Sequence, residues 1–287
     1  MDPVIEAVSK ITVPVILERK LHGERITCIT AYDYPTARLV DEAGIDMVLV
    51  GDTLAQTVLG YESTVPVTVD EMLHHARAVR RAIRRALLIV DLPFGSYHTV
   101  PERAVEAAIR YLKEAGAESV KLEGGRRRAD VIRKLVEAEI PVMGHVGLTP
   151  QSLHSQGGYR VQGKTVESAA EILADAQAVE DAGAFAIVLE GLPRELAAII
   201  TRRLRIPTIG IGAGPDCDGQ VLVFHDLAGL SFQRAAKFVR PYANLAGTLR
   251  DALARYREDV LSGNYPDDRE SYHWPPSVRA EFDRVRA

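Results

Sequence analysis

The sequence predicts a single (β/α)₈ TIM barrel, an α/β fold, and three observations support that prediction. Short apolar runs recur about eight times along the 287 residues. The runs are continuous rather than alternating, as in parallel strands that are buried on both faces. Most of them are separated by stretches with apolar residues three or four positions apart, which is typical of amphipathic helices. Repeated strand–helix units favour a closed barrel. An open doubly wound sheet is the alternative, because periodicity does not reveal closure.

The predicted strands and helices can be placed in order along the chain. The strands cover residues 26–30, 46–50, 87–92, 119–122, 140–144, 185–189, 207–211 and 221–224. Two helices are expected to begin with a capping box, formed by Thr68 with Glu71 and by Thr99 with Glu102. Three helices are expected to end at a glycine, because glycine readily adopts the left-handed conformation that closes a helix. These glycines are Gly44, Gly116 and Gly183.

Three segments interrupt the regular pattern. Residues 53–68 and 146–164 are long insertions after the second and fifth strands, and their Gly, Thr, Ser and Gln content is typical of substrate-facing loops. Residues 262–287 are rich in proline and charge. We therefore expect a catalytic barrel over residues 1–261. The polar C-terminal tail over residues 262–287 is expected to pack on the barrel or on a neighbouring subunit.

Composition excludes several classes of function. The formal net charge of −4 gives no general attraction for nucleic acid. The two cysteines form neither a disulfide framework nor a zinc-binding pattern, which fits a reducing compartment. The first residues do not resemble a signal peptide, and the apolar runs are far shorter than the roughly 20 residues of a membrane-spanning helix. A cytoplasmic protein without membrane or nucleic-acid partners is expected.

Four acids occupy informative positions at the ends of apolar runs. They are Asp52, Asp91, Glu123 and Glu190. In a parallel barrel, the C-terminal ends of the strands open onto the face where barrel enzymes perform their chemistry. The first three acids would end neighbouring strands about 4.8 Å apart, where carboxylates repel one another unless a cation lies between them. Oxygen ligands without His or Cys favour Mg²⁺.

Two further positions extend this predicted site. Lys121 lies two residues before Glu123 on one strand, so both side chains point to the same face and the ammonium can hold an anionic substrate. Glu190 ends the sixth strand, away from the other acids, and is therefore available as a base. His145 either lines the site or makes a structural hydrogen bond. Each acid taken alone has a plainer interpretation, as a helix cap or a solvated loop residue.

Segments around these residues resemble the 3-methyl-2-oxobutanoate hydroxymethyltransferase (ketopantoate hydroxymethyltransferase) family from about residue 10 to residue 260. The matching segments are residues 30–35, 49–52, 90–95, 120–124, 141–151, 189–190 and 207–214. So many segments in one order are more specific than any single motif.

The resemblance implies a barrel of the phosphoenolpyruvate/pyruvate-binding type that assembles as a homo-decamer. The implied ligands of one Mg²⁺ per subunit are Asp52, Asp91 and Glu123. The implied keto-acid contacts are Asp52, Thr53, Asp91 and Lys121. The implied proton acceptor is Glu190. One position departs from the family, since Thr53 stands where Ser is common.

The implied reaction transfers a hydroxymethyl group from 5,10-methylenetetrahydrofolate to 3-methyl-2-oxobutanoate. It forms 2-dehydropantoate (ketopantoate) for pantothenate and coenzyme A biosynthesis. One alternative keeps the metal and the barrel but makes the protein a lyase or mutase of another 2-oxo acid. A nucleophilic cysteine in a Lys-Cys-Gly-His-type loop, expected for that class, is not seen. The other alternative is a non-catalytic metabolite-binding oligomer, which predicts the loss of at least one of these charged residues.

Overall fold

Eight parallel strands close into a barrel in the computed structural model, which describes residues 9–152, 157–232 and 235–286. The strands are β1 Ile26–Thr30, β2 Met47–Val50, β3 Leu87–Asp91, β4 Ser119–Lys121, β5 Val142–Gly147, β6 Ala186–Glu190, β7 Thr208–Ile211 and β8 Gly219–Leu222. Each strand pairs with the next in sequence, and β8 pairs with β1. The predicted TIM barrel is therefore confirmed, and the open sheet is excluded.

Two strands begin two residues away from their predicted starts, for local reasons. β5 begins at Val142 rather than at residue 140, directly after Pro141, which has no N–H to donate to a strand ladder. β8 begins at Gly219, where a side chain would collide with the carbonyl oxygen of Ile26 at 2.5 Å. Glycine thus lets β8 approach β1 and close the barrel, a backbone requirement that hydrophobic periodicity does not encode.

The helices that follow the strands form the outer layer. The α-helices cover Val13–His22, Tyr34–Glu42, Leu54–Thr57, Val69–Arg80, Pro101–Ala115, Ala129–Glu137, Val166–Asp181, Arg194–Arg203, Phe224–Ala228, Leu245–Ser262 and Pro276–Arg286. The capping box of Thr68 and Glu71 is present. The predicted box at Thr99 is wrong, because Val100 is the N-cap residue and no side chain caps that helix. The predicted left-handed glycines are confirmed by positive φ angles at Gly44, Gly116 and Gly183.

Alternation along the strands decides which side chains enter the barrel. Leu87 and Ile89 of β3 belong to the apolar cluster inside the barrel, whereas Leu88 and Val90 pack against the helices. Asp91, two positions after Ile89, continues the inward series. Lys121 on β4 and Glu190 on β6 face the same interior cavity. The strands thus carry charged side chains to one end of an otherwise apolar interior.

Ion pairs secure the opposite end of the barrel. Helix Val13–His22 lies there, and its Arg19 contacts Asp46 at 2.8 Å, just before β2. Its Lys20 contacts Asp218 at 2.7 Å, just before β8. These contacts anchor strand starts and leave the C-terminal strand ends for chemistry.

The two insertions carry short helical segments in their described parts, and the tail carries an exposed α-helix. Residues 53–68 include the short helix Leu54–Thr57, and residues 146–164 include the 3₁₀ turn Pro150–Ser152, with residues 153–156 outside the described part. Helix Leu245–Ser262 ends at the expected border of the tail, which contains the exposed helix Pro276–Arg286. The division of the chain at residue 261 stays a prediction. None of the helices in the described ranges is both long and apolar enough to span a membrane.

Candidate active site

The acids predicted from sequence lie at the C-terminal ends of their strands. Asp52 follows β2, Asp91 ends β3, Glu123 lies two residues beyond β4, and Glu190 ends β6. The first three are at most 5% exposed, whereas the Glu190 side chain is 15% exposed. All four acids, together with Thr53 and Lys121, line one cavity. Its volume is ≈ 420 Å³ when the open space at its mouth is included. The structure therefore brings every predicted site residue to one cavity.

The ammonium of Lys121 is paired with Asp91. Asp91 and Lys121 are register partners on β3 and β4, and Nζ lies 2.7 Å from Asp91 Oδ1. Burial alone would lower the pKa of Lys121, but the charges of Asp91 and Glu123 outweigh burial and raise that pKa. Lys121 is consequently a fixed positive charge at the cavity wall.

The negative charges of the other two buried acids, Asp52 and Glu123, are not balanced by a positive charge of their own. Burial, reinforced by the charge of Asp91, raises the pKa of Asp52 to about 7. Burial, and then the charge of Asp52, raises the pKa of Glu123 well above its usual range. Three carboxylates thus share one ammonium, and the protein alone does not balance their charge. A cation at this position would relieve that imbalance.

The three acids of the predicted metal site have the chemistry that suits Mg²⁺, although they do not converge on a single point. Asp52, Asp91 and Glu123 provide carboxylate oxygens as ligands. Oxygen ligands suit a hard cation such as Mg²⁺. Over residues 9–152, 157–232 and 235–286, no three His, Cys, Asp or Glu side chains stand close enough together to hold one ion as they are. Mg²⁺ commonly uses one or two carboxylates and completes its shell with water and substrate oxygens. The three-carboxylate ligand set stays a prediction.

His145 lies between the candidate base and the acid cluster. It is 2% exposed on β5; its Nε2 lies 3.3 Å from Glu190 Oε2, and its Nδ1 lies 3.7 Å from Glu123 Oε1. In the described part of the chain, neither ring nitrogen makes a hydrogen bond of acceptable geometry. Of the two interpretations of His145, the structure favours a residue that lines the site.

Two residues at the site were not predicted from the sequence. Gln151, in the turn after β5, donates through Nε2 to Asp52 Oδ2 at 2.8 Å and through its backbone N to Glu123 Oε2 at 3.0 Å. Tyr97, after β3, donates to Gln151 Oε1 at 2.6 Å. Gln151 ends one of the segments that resemble the family, but nothing in its spacing indicates a contact with Asp52.

The floor of the cavity is apolar. Below the charged groups it is lined by the aliphatic side chains of Leu49, Val188, Ile211 and Val221. The Thr53 hydroxyl makes no hydrogen bond within the described residues, so it is available to a ligand at the mouth. The cavity therefore suits a small anion with a branched aliphatic end. Its charged group would lie at the rim and its aliphatic end on the apolar floor.

These features define the class of protein, a barrel enzyme with an acid-lined catalytic mouth. Solved structures share the fold at low sequence identity. A phosphonopyruvate hydrolase in complex with oxalate and Mg²⁺ has a TM-score of 0.60 and 17% identity, with 96% of each chain covered. A 2,3-dimethylmalate lyase of the PEP mutase/isocitrate lyase superfamily has a TM-score of 0.56 and 16% identity, covering 96% of this chain and 99% of its own.

Sequence comparison narrows the class to one family. The family model described as ketopantoate hydroxymethyltransferase matches residues 10–268. A 3-methyl-2-oxobutanoate hydroxymethyltransferase of Koribacter versatilis (strain Ellin345) is 58% identical, covering 97% of this chain and 94% of that protein. The 3-methyl-2-oxobutanoate hydroxymethyltransferase of Thermobifida fusca (strain YX) is 55% identical, covering 92% of this chain and 94% of that protein. The chain belongs to the ketopantoate hydroxymethyltransferase family, and the resemblance found in the sequence is confirmed.

Proposed function

We propose that this protein transfers a hydroxymethyl group from 5,10-methylenetetrahydrofolate to 3-methyl-2-oxobutanoate and so forms ketopantoate for pantothenate and coenzyme A biosynthesis. Family membership supports the reaction. The observation that carries the proposal for this chain is the shared cavity, which Glu190 lines together with the paired Asp91 and Lys121. A base, a fixed cation and an apolar floor in one cavity are what enolisation of a branched keto acid requires.

One Mg²⁺ per subunit would be held by Asp52, Asp91 and Glu123. This assignment is supported by their burial, their oxygen-only chemistry and their unbalanced charge. When bound, Mg²⁺ supplies Lewis-acid stabilisation of the negative charge that develops on the keto acid. Because two carboxylates repel an anion, Asp52 and Asp91 contact the keto acid only where that cation offsets their charge.

Lys121 and Thr53 bind and orient the substrate. The ammonium of Lys121 attracts the keto-acid carboxylate from the cavity wall, and its pair with Asp91 keeps it in place. The Thr53 hydroxyl donates a hydrogen bond at the mouth, as a serine hydroxyl would. The aliphatic floor takes up the isopropyl end and excludes water from it.

Glu190 removes the proton from C3 of the keto acid. The electron pair of the C3–H bond moves into the enolate, and the proton is held on the Glu190 carboxyl group. C3 then bonds to the one-carbon unit of methylenetetrahydrofolate as one of its two carbon–nitrogen bonds breaks, and the proton held by Glu190 goes to the nitrogen released. Water replaces the second nitrogen, giving its OH to ketopantoate and its other hydrogen to tetrahydrofolate. Glu190 is suited to this task because its side chain is more exposed than the acids of the cluster and takes no part in the ion pair of Lys121 and Asp91.

The assembly and the location are proposed on family grounds. Exposed apolar side chains along helix Leu245–Ser262 support a homo-oligomer, and its form as a decamer is proposed from the family alone. These side chains are Leu249, Leu253, Tyr256, Val260 and Leu261. The cytoplasm is proposed as the location, and small molecules rather than nucleic acids or membranes are proposed as partners, in keeping with the net charge of −4.

A product assay with a matched variant tests the reaction. The purified protein is given both substrates and Mg²⁺, and ketopantoate is measured by mass spectrometry. Glu190→Gln keeps the size of the side chain but removes the base, so we expect product formation to fall by about 100-fold or more. Calorimetry should still show binding of the keto acid.

Glu195→Gln is the control for that assay. It removes the same charge from an exposed position on helix Arg194–Arg203, outside the cavity, and should retain full activity. Normal turnover by Glu190→Gln would remove Glu190 from its role. No ketopantoate from the unmodified protein would refute the proposed reaction.

A further inference from the structure

Gln151 and Tyr97 link the two acids that flank the proposed cation position. We propose that they form a positioning pair, which orients the Asp52 and Glu123 carboxylates toward a bound divalent cation. This inference rests on the proposed function insofar as it assumes that a cation binds there. Gln151 is 4% exposed and Tyr97 is 1% exposed, so solvent does not compete for their hydrogen bonds.

The hydrogen bonds have only one consistent order of donors. The backbone N–H of Glu123 donates to the Tyr97 hydroxyl at 3.2 Å, so that oxygen acts there as an acceptor. The single hydroxyl hydrogen of Tyr97 is then directed to Gln151 Oε1 at 2.6 Å. The carbonyl side of the Gln151 amide thus faces Tyr97, and its nitrogen faces the acceptor oxygens of Asp52 and Leu92.

With that orientation, both hydrogens of Gln151 Nε2 are used. One is donated to Asp52 Oδ2 at 2.8 Å and the other to the backbone oxygen of Leu92 at 3.0 Å. The backbone N–H of Gln151 is donated to Glu123 Oε2 at 3.0 Å. One residue therefore presents a donor to each of two carboxylates, and the hydrogen bond from Tyr97 helps to hold its side chain in that orientation.

The arrangement orients the carboxylates without neutralising their charge. Oδ2 of Asp52 and Oε2 of Glu123 are occupied by Gln151, whereas Oδ1 of Asp52 and Oε1 of Glu123 accept no hydrogen bond in the described ranges. Each acid thus keeps one oxygen for another ligand. Donors behind a ligand residue commonly set its orientation and the affinity of a metal site.

The turn after β5 is coupled to this position by the same contacts. Gln151 belongs to the 3₁₀ turn Pro150–Ser152, whereas Asp52 lies 99 residues away in sequence, after β2. Neither Gln151 nor Tyr97 lines the cavity of the proposed site, and neither is hydrogen-bonded to the base Glu190. They act through Asp52 and Glu123, and are therefore positioning residues rather than catalytic ones.

The test measures Mn²⁺ binding to the metal-free full-length protein, by calorimetry and by electron paramagnetic resonance. Gln151→Met keeps the approximate volume of the side chain but loses its donors to Asp52 and Leu92. Tyr97→Phe keeps the buried ring but releases the orientation of the amide. We expect about a 10- to 100-fold weaker Mn²⁺ affinity for Gln151→Met, in the range seen when groups behind metal ligands are lost. A smaller weakening in the same direction is expected for Tyr97→Phe.

Tyr111→Phe provides the matched control for Tyr97→Phe. Tyr111 is also fully buried, on helix Pro101–Ala115, but its hydroxyl makes no hydrogen bond within the described residues. Its Mn²⁺ affinity should equal that of the unmodified protein. Thermal melts of the metal-free proteins identify any variant that fails to fold, and Tyr97→Phe, the mildest change, then decides the outcome.

The outcomes separate this inference from the proposed function. Unchanged Mn²⁺ affinity in Gln151→Met and Tyr97→Phe would overturn the positioning pair alone. Equal weakening in Tyr97→Phe and Tyr111→Phe would also overturn it, because the effect would then be general to buried hydroxyls. Absence of Mn²⁺ binding by the unmodified protein would overturn both the pair and the cation of the proposed function.

Discussion

Replacing Asp52 by asparagine should stabilise the metal-free protein at neutral pH. Burial and the neighbouring Asp91 raise the pKa of Asp52 from its ordinary 3.8 to about 7 in the folded protein. Because the unfolded chain releases this proton near its ordinary pKa, stability falls as the pH rises between these values and stays lower above them. At about 1.4 kcal/mol per pKa unit, the charge on Asp52 costs up to about 4 kcal/mol above pH 7.

Asp52→Asn removes that charge and keeps an oxygen that can accept from Gln151 Nε2. We expect urea unfolding in EDTA to show equal stability for the two proteins near pH 4. By pH 8, the variant should be more stable by up to about 4 kcal/mol. Saturating Mg²⁺ should stabilise the unmodified protein at pH 8, since a ligand that binds only the folded state adds to its stability. The same Mg²⁺ should do little for the variant.

Asp41→Asn is the control for this prediction. Asp41 is also a buried acid, but its oxygens accept the backbone N–H groups of Arg84, Arg85 and Ala86. An amide in its place sets a donor against these donors and should destabilise the protein at pH 8. If Asp52→Asn were as destabilising in EDTA at pH 8 as Asp41→Asn, the reasoning about unbalanced charge would be refuted.

Other substitutions test single parts of the site. Lys121→Met leaves Asp91 as a buried unpaired charge and should lower the free energy of unfolding by about 3–5 kcal/mol at pH 8. Calorimetry should also show weaker keto-acid binding. Unchanged urea midpoints would contradict a stabilising ion pair between Lys121 and Asp91. In Gly147→Ala, the new Cβ would lie 2.2 Å from the backbone oxygen of Glu190 at a φ of 101°, so unfolding should be easier by more than about 1 kcal/mol and turnover lower. Normal turnover in that variant would argue that Glu190 need not be held in place. Thr53→Ser should keep the KM for the keto acid within about threefold, whereas Thr53→Val, which cannot donate, should raise it by about tenfold; equal KM values would exclude the hydroxyl contact.

The fold was predictable because its determinants are local. Continuous apolar runs identified all eight strands, and the glycine after helix Pro101–Ala115 identified where that helix ends. Closure was not predictable from periodicity, since it depends on the close approach of Gly219 to Ile26 across the chain. The failed capping box at Thr99 has a similar cause, because the spacing of Thr99 and Glu102 does not determine which residue becomes the N-cap.

The candidate site was predictable to the extent that it follows strand ends. Strand alternation and strand order were sufficient to bring Asp91, Lys121 and Glu190 to one cavity. Gln151 was not predictable, because a neutral amide in a turn carries no periodic signal and its partner Asp52 is distant in sequence. The spacing of the three metal acids also depends on side-chain orientation, which a sequence pattern does not specify.

Hydrogen exchange at C3 of 3-methyl-2-oxobutanoate tests the proposed chemistry most directly. The keto acid is incubated with the protein in D₂O, with Mg²⁺ or with EDTA, and the C3 proton is followed by NMR in the presence of tetrahydrofolate. The proposed function predicts exchange that requires Mg²⁺ and is lost in Glu190→Gln. Absence of exchange in the unmodified protein, or exchange that persists unchanged in EDTA and in Glu190→Gln, would contradict cation-assisted enolisation by this base.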